Sequence, residues 1–145
     1  MKRKEFSIQI DAPREKVWSI LWDNETYATW TAPFFEGSHI ETTWEEGSDA
    51  KFLGPDKNGI LSKIVKKVPY HTMYFKHQGV IEKGIPDLDH EEAQQWKGAI
   101  ENYTLTEHDG STRLHIETDI ASPYLEAFLK IWPKALQCVK ELSEV

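Results

Sequence analysis

The sequence predicts an α+β fold, a curved antiparallel sheet of six or seven strands wrapped around one long C-terminal helix. Three observations predict it. Residues 122–145 carry apolar side chains at spacings of three and four, which is the stripe of an amphipathic helix. Most of the chain before them reads as short segments of period two separated by Gly and Pro turn signals. No crossover-length helix lies between the later strands, so they must pair antiparallel.

The elements follow in order. Phe6, Ile8 and Ile10 alternate with Ser7 and Gln9, giving a first strand with one buried face. Pro13 opens a helix from Arg14 to Trp22, with Val17, Ile20 and Leu21 on its buried side and Trp18 beside them. The aromatic-rich stretch Asn24 to Phe35 predicts one short helical turn and then coil near Pro33. Strands are predicted over His39–Trp44, Asp49–Leu53, Ile60–Val68 and His71–His77, joined by turns at Glu46-Gly47-Ser48 and Gly54 to Gly59. Gln78 to Gly98 is irregular, broken by Gly79, Gly84 and Pro86. Within it, Asp89 and Glu92 have the spacing of a capping box for a short helix ending at Trp96.

Ala99 to Ala121 reads as a hairpin around a two-residue Asp109-Gly110 turn. That turn pairs Leu105 with Leu114, Tyr103 with Ile116 and Glu101 with Thr118, so one face is apolar near the turn and polar further from it. For the last helix, Ser122 can cap and Pro123 fits the first position, where no donor is needed. Its stripe is Leu125, Phe128, Leu129, Trp132, Ala135, Leu136, Val139 and Leu142. Pro133 falls inside it and should clash with the Leu129 carbonyl, which predicts a kink or break with Trp132 facing inward.

Composition narrows the function classes. With 17 basic and 24 acidic residues the formal charge is 17 − 24 = −7, an unfavourable balance for nucleic-acid binding. The cluster Lys63, Lys66 and Lys67 reads as a solvated strand face. The one cysteine, Cys138, is expected to act as a small buried hydrophobe. The opening MKRKEFSIQID lacks the apolar run of a signal peptide, and nothing approaches the roughly 20 apolar residues of a membrane span. The expectation is a soluble cytoplasmic protein, a single domain over residues 1–145, with no membrane insertion.

Chemical motifs are sparse. Gly-rich phosphate loops, a His-Glu-x-x-His motif and a Gly-x-Ser-x-Gly elbow are all absent. His71 and His77 share a strand face but lie roughly 20 Å apart, too far to ligate one metal from that strand. No cofactor, metal site or catalytic residue is therefore assigned. Glu101 is the notable carboxylate. It points inward beside Thr118, with His77, Met73 and Phe75 on a neighbouring inward face. It is either a polar anchor or acid/base group in an apolar pocket, or a side chain near the sheet end that reaches solvent. Trp30, Phe34, Trp44, Phe52, Phe75 and Trp132 either line a ligand cavity between sheet and helix or simply fill a core.

Taken together, these segments resemble the START-like (SRPBCC) superfamily with its helix-grip fold, and within it the family related to the activators of the ninety-kilodalton heat-shock-protein ATPase. The resemblance rests on Ile8 to Trp18 as opening strand, Ala-Pro step and Val-Trp helix, and on the Trp44-Glu45-Glu46-Gly47-Ser48 hairpin. It rests also on Gly59 running into Val68-Pro69, on Asp109 to Leu114, and on Trp132-Pro133-Lys134-Ala135-Leu136. It implies a fold and a cavity, with no catalytic residue to carry over, and makes residues 78–98 an insertion over the cavity mouth, a lid or an edge decoration.

The first functional expectation is binding of a small hydrophobic or amphipathic ligand between the sheet and the C-terminal helix. Its candidate residues are Trp30, Phe34, Phe52, Met73, Phe75, His77, Glu101, Tyr103, Thr118, Phe128 and Trp132, with Glu101, His77 and Thr118 orienting a polar group. The alternatives are a protein-interaction module with a chaperone or other protein partner, and an enzyme acting on a hydrophobic cyclic substrate. Oligomeric state is not readable from the sequence.

Overall fold

The computed structural model describes all residues from 1 to 145. Its strands are β1 (Lys2–Ile10), β2 (His39–Glu41), β3 (Asp49–Leu53), β4 (Gly59–Val68), β5 (Thr72–Glu82), β6 (Ile85–Asp87), β7 (Ile100–His108) and β8 (Ser111–Ile120). Its helices are α1 (Arg14–Trp22), α2 (Asn24–Thr31), α3 (Glu91–Trp96) and α4 (Leu125–Ser143). Seven strands form one sheet in the order β1-β8-β7-β5-β4-β3-β2, every pairing antiparallel, with β6 added to β5.

The concave face holds α4. Trp132 stacks on Phe6 with centroids 5.7 Å apart, Lys140 donates to the Gln9 carbonyl, and the Glu144 carboxylate accepts from the Asp11 N–H. These contacts run α4 parallel to β1 and set its start, with Leu125 and Phe128, at the Lys2–Lys4 end. The core between them includes Ile10, Leu114, Ile116, Ala135, Leu136 and Val139, all essentially inaccessible. Burial of this kind, at about 25 cal/mol per Å² of apolar surface, is what holds the helix in the sheet.

Several elements match their sequence signals. The Asp109-Gly110 turn has φ of 52° and 77°, the doubly positive pattern of the primed hairpin turn, and all three predicted cross-strand pairs form. Others depart from expectation. β1 starts four residues before Phe6, because the concave/convex alternation continues through Lys2 and Lys4 against β8. α2 is a full two turns, since Tyr27, Trp30 and Thr31 bury one side. β2 stops at Glu41, where the Thr42 hydroxyl takes over by donating to the Asp49 carbonyl and accepting from the Trp44 N–H. Trp44 itself is pulled out of strand geometry, with φ of 65°.

β5 runs on to Glu82, because Lys83-Gly84, with φ of 51° and 84°, makes a second primed turn that pairs β6 back onto it. The predicted capping box is not made. α3 is preceded by His90, and the Asp87 carboxylate, not Asp89, accepts from the Asp89 and His90 N–H groups. Ser122 likewise makes no side-chain cap. It belongs to a 3₁₀ turn, 122–124, and α4 begins after it.

α4 is unbroken through Pro133. Pro133 is on the exposed side, where helix carbonyls tilt toward water, so the lost hydrogen bond falls on the solvent face. Leu129 is also off the buried stripe, 41% exposed. The lysine cluster divides. Register shifts between Ile64 and Lys66, placing the exposed Val65 in a bulge, so Lys67 pairs with buried Met73 while Lys63 and Lys66 stay outside.

Candidate functional site

The sheet positions the predicted site residues row by row. Tyr103 pairs with Met73 on one side and Ile116 on the other, and Glu101 pairs with Phe75 and Thr118. Lys4 continues the second row opposite Thr118. Over these rows lies a continuous aromatic cluster. Trp30 and Tyr103 are 6.4 Å apart, Tyr103 and Trp132 6.4 Å, Phe34 and Trp132 4.8 Å, and Phe34 and Phe128 5.2 Å. Phe52 and Phe75 meet edge to face at 4.9 Å. Trp30, Met73, Phe75 and Tyr103 are fully buried, whereas Phe34, Phe52 and Phe128 are partly so. The interior beneath α4 is thus occupied by its own side chains.

Polar groups are concentrated at one end of this interior. The Tyr103 hydroxyl donates to Glu101 Oε2 at 2.7 Å, while Oε1 makes no hydrogen bond with the protein and is not fully enclosed. Burial raises the Glu101 carboxyl above its ordinary range, with the Tyr103 bond opposing the shift. Burial and the nearby Glu101 charge also push the Tyr27 and Tyr103 phenols well up. The buried Trp132 and Trp22 Nε1–H groups have no acceptor, whereas the Tyr27 hydroxyl, from α2, makes no hydrogen bond with the protein but is not fully enclosed. An unmet buried donor costs about 1–3 kcal/mol. Trp132 and Trp22 therefore leave two enclosed donors unused in the aromatic surround, while Glu101 Oε1 and the Tyr27 hydroxyl lack a protein partner but stay open to water.

The other predicted polar residues are committed elsewhere. Thr118 is buried and donates to the Ile100 carbonyl at 3.3 Å. His77 shares a 3.2 Å hydrogen bond between Nδ1 and Ser62 Oγ, and its ring lies 6.1 Å from Phe52 and 5.8 Å from Trp96 of α3. Burial lowers its pKa to about 4, so it is neutral at pH 7. Glu101 and Thr118 are brought together across the strands but bond to other partners, and His77 belongs to a separate cluster. Residues 85–98 cover that cluster through Trp96.

Sequence reasoning missed Tyr27, Ser62 and Lys4. Tyr27, Trp30, Thr31 and Phe34 have i, i+3, i+4, i+7 spacing, a helical signal that would have placed Tyr27 with Trp30. Lys4 continues the inward parity of Phe6 and Ile8.

Two of the surface depressions bear on the question of a ligand. One, about 200 Å³, is lined by Trp18, Ser19, Trp22, Asp23, Trp44, Lys67 and Met73. The other, about 440 Å³, has no hydrophobic lining residue and lies along β2 and β3, so it does not suit an apolar ligand. No three His, Cys, Asp or Glu side chains are grouped to hold a metal ion, and no helix is long and apolar enough to cross a membrane.

Comparison with solved structures finds the same fold repeatedly. The Aha1 dimer structure from Colwellia psychrerythraea matches with a TM-score of 0.73 and 18% identity, over 100% of this chain and 98% of that one. A crystal structure of a Mesorhizobium loti protein matches with a TM-score of 0.71 and 16% identity, over 97% of this chain and 96% of that one. CalU16 from Micromonospora echinospora matches with a TM-score of 0.63 and 18% identity, over 95% of this chain and 71% of that one. At these identities the likeness shows the fold alone. No curated protein sequence matches. A family model described as "Activator of Hsp90 ATPase homolog 1-like protein" matches residues 11–136, nearly the whole length, so the chain belongs to that family.

Proposed function

We propose that the protein binds a small amphipathic molecule between the sheet and α4, with Glu101 as the polar anchor. One observation carries the reading. A carboxylate with one oxygen free is held by Tyr103, against whose ring pack two indoles, Trp132 and Trp22, with enclosed donors that lack acceptors. An enclosed indole donor without an acceptor is costly for folding alone, whereas a ligand oxygen would accept from it and a ligand hydroxyl would donate to the open Glu101 oxygen. Phe34, Phe128 and Trp132 form the wall nearest the start of α4, and admission of a ligand requires the 5.2 Å Phe34–Phe128 contact to part. The reading places the protein in the cytoplasm, as one domain.

A thermal-shift and native mass-spectrometry screen of lipids and aromatic metabolites tests it. The expected result is a ligand that raises the melting temperature of the wild type and loses most of that effect in Glu101→Gln. Failure of every compound to bind folded protein overturns the reading.

The raised Glu101 pKa favours a second reading, an enzyme in which the same carboxyl exchanges a proton with a cyclic substrate. Turnover that survives Glu101→Gln excludes Glu101 as that acid/base. The family description and the Colwellia neighbour support an interaction module with a chaperone partner, for which a pull-down that retrieves no chaperone counts against.

A further inference from the structure

The cleft of about 200 Å³ between α1 and the ends of β4 and β5 is unexplained by the interior site. Trp18 and Trp44 form its walls, and Trp22 and Met73 its floor. Tyr70 adds an edge-on contact to Trp18 at 6.1 Å, and Trp22 meets Trp44 at 5.5 Å. Two backbone features build this wall. Trp44 and Tyr70 both hold positive φ, 65° and 68°, a conformation that bulky side chains rarely adopt. Strain of that kind persists only where the surroundings impose it, and it concentrates at binding sites.

A third feature supplies charge. The bulge at Val65 turns Lys67 out of the convex lysine row and sets it opposite Met73, on the cleft side. Its Nζ donates to the Trp44 carbonyl at 2.7 Å, and it has no carboxylate within ion-pair distance although the chain carries 24 acidic residues. A half-buried ammonium fixed by a carbonyl keeps donors free for an anion. Asp23 also lines the cleft and carries no ion pair, so the lining holds one charge of each sign.

We infer that this cleft is a second binding site, for a small planar aromatic carboxylate whose ring lies against the indoles and whose carboxylate meets Lys67. Volume limits it to one or two rings. Trp22 separates it from the Glu101 end of the interior, since Trp22 packs on Tyr103 at 4.8 Å.

The test is a titration of the full chain with indole-3-acetate, indole and tryptamine, followed by the tryptophan side-chain N–H signals in NMR spectra. Saturable shifts at Trp18 and Trp44, with the acid binding tightest, are expected. Lys67→Met should weaken the acid about tenfold or more and leave indole unchanged. Trp44→Gly relieves the positive φ but gives up the Trp22 contact, so it should be less stable, remain folded by its dispersed NMR spectrum, and lose binding. Glu101→Gln should have no effect, which keeps this site distinct from the interior one. No saturable shift in a folded protein, tighter binding of tryptamine than of the acid, or loss of binding in Glu101→Gln each overturns the proposal.

Discussion

His77 and Glu101 stand on neighbouring segments of the concave face, on β5 and β7, and their surroundings differ in kind. His77 is 4% exposed, hydrogen-bonded to Ser62 and covered by Trp96 from α3. Its burial is met by neutrality and a local partner. Glu101 is met halfway, with Tyr103 on one oxygen and nothing on the other. The contrast teaches what an inward polar side chain signifies. A satisfied one belongs to the architecture. One with unused hydrogen-bonding capacity among other unused donors is the better candidate for ligand contact.

The largest effect is expected where the aromatic surround of Glu101 is removed. Trp132→Ala should cost about 3–5 kcal/mol, because the ring is 96% buried and touches Phe6, Trp30, Phe34 and Tyr103. Chemical denaturation measures it, and a loss under 1 kcal/mol would mean that the interior is loosely filled.

Next is pH. His77 titrates near 6.5 when unfolded and near 4 when folded, so the unfolded state binds the extra proton between those values. Its contribution is complete above about pH 6.5 and is lost as pH falls toward 4, amounting to about 3 kcal/mol in all. Melting temperatures across pH 7 to 4 should drop, and His77→Gln should flatten that drop.

Glu101 carries the opposite sign. Its folded carboxyl sits above the unfolded value, so the ionised form is disfavoured by folding and the penalty grows as pH rises through that window. Glu101→Gln should equal the wild type in acid and exceed it in stability at neutral pH. Equal stability at both pH values would show that the carboxylate is solvated.

The smallest effect tests the cover over His77. Asp87→Ala removes the acceptor of two backbone N–H groups at the start of α3 and should cost about 1 kcal/mol. Freed from Trp96, His77 should titrate higher, which NMR of its ring protons reads directly.

Much of this arrangement was legible in the sequence. The Asp109-Gly110 turn sets the β7–β8 register, and register alone puts Glu101 inward opposite Thr118. The apolar stripe predicts α4 and its inward Trp132. Other features were not legible. Lys67 reads as one of three solvated lysines until the bulge at Val65 reverses its parity, and bulges leave no reliable mark in a lysine-rich strand. The extension of β5 past Gly79 depends on β6 folding back through Lys83-Gly84, a turn whose first residue gives no cue.

Local chemistry thus determined the element types, the hairpin register and the faces, because backbone periodicity and turn residues act over a few positions. Only the tertiary structure decided which inward polar atoms find partners. Ser62 reaches His77 across strands, Tyr103 reaches Glu101, and no group reaches Glu101 Oε1 or Trp132 Nε1. Hydrogen bonding between elements depends on how α2 and α4 are seated over the sheet, and that is settled by packing of the whole aromatic interior.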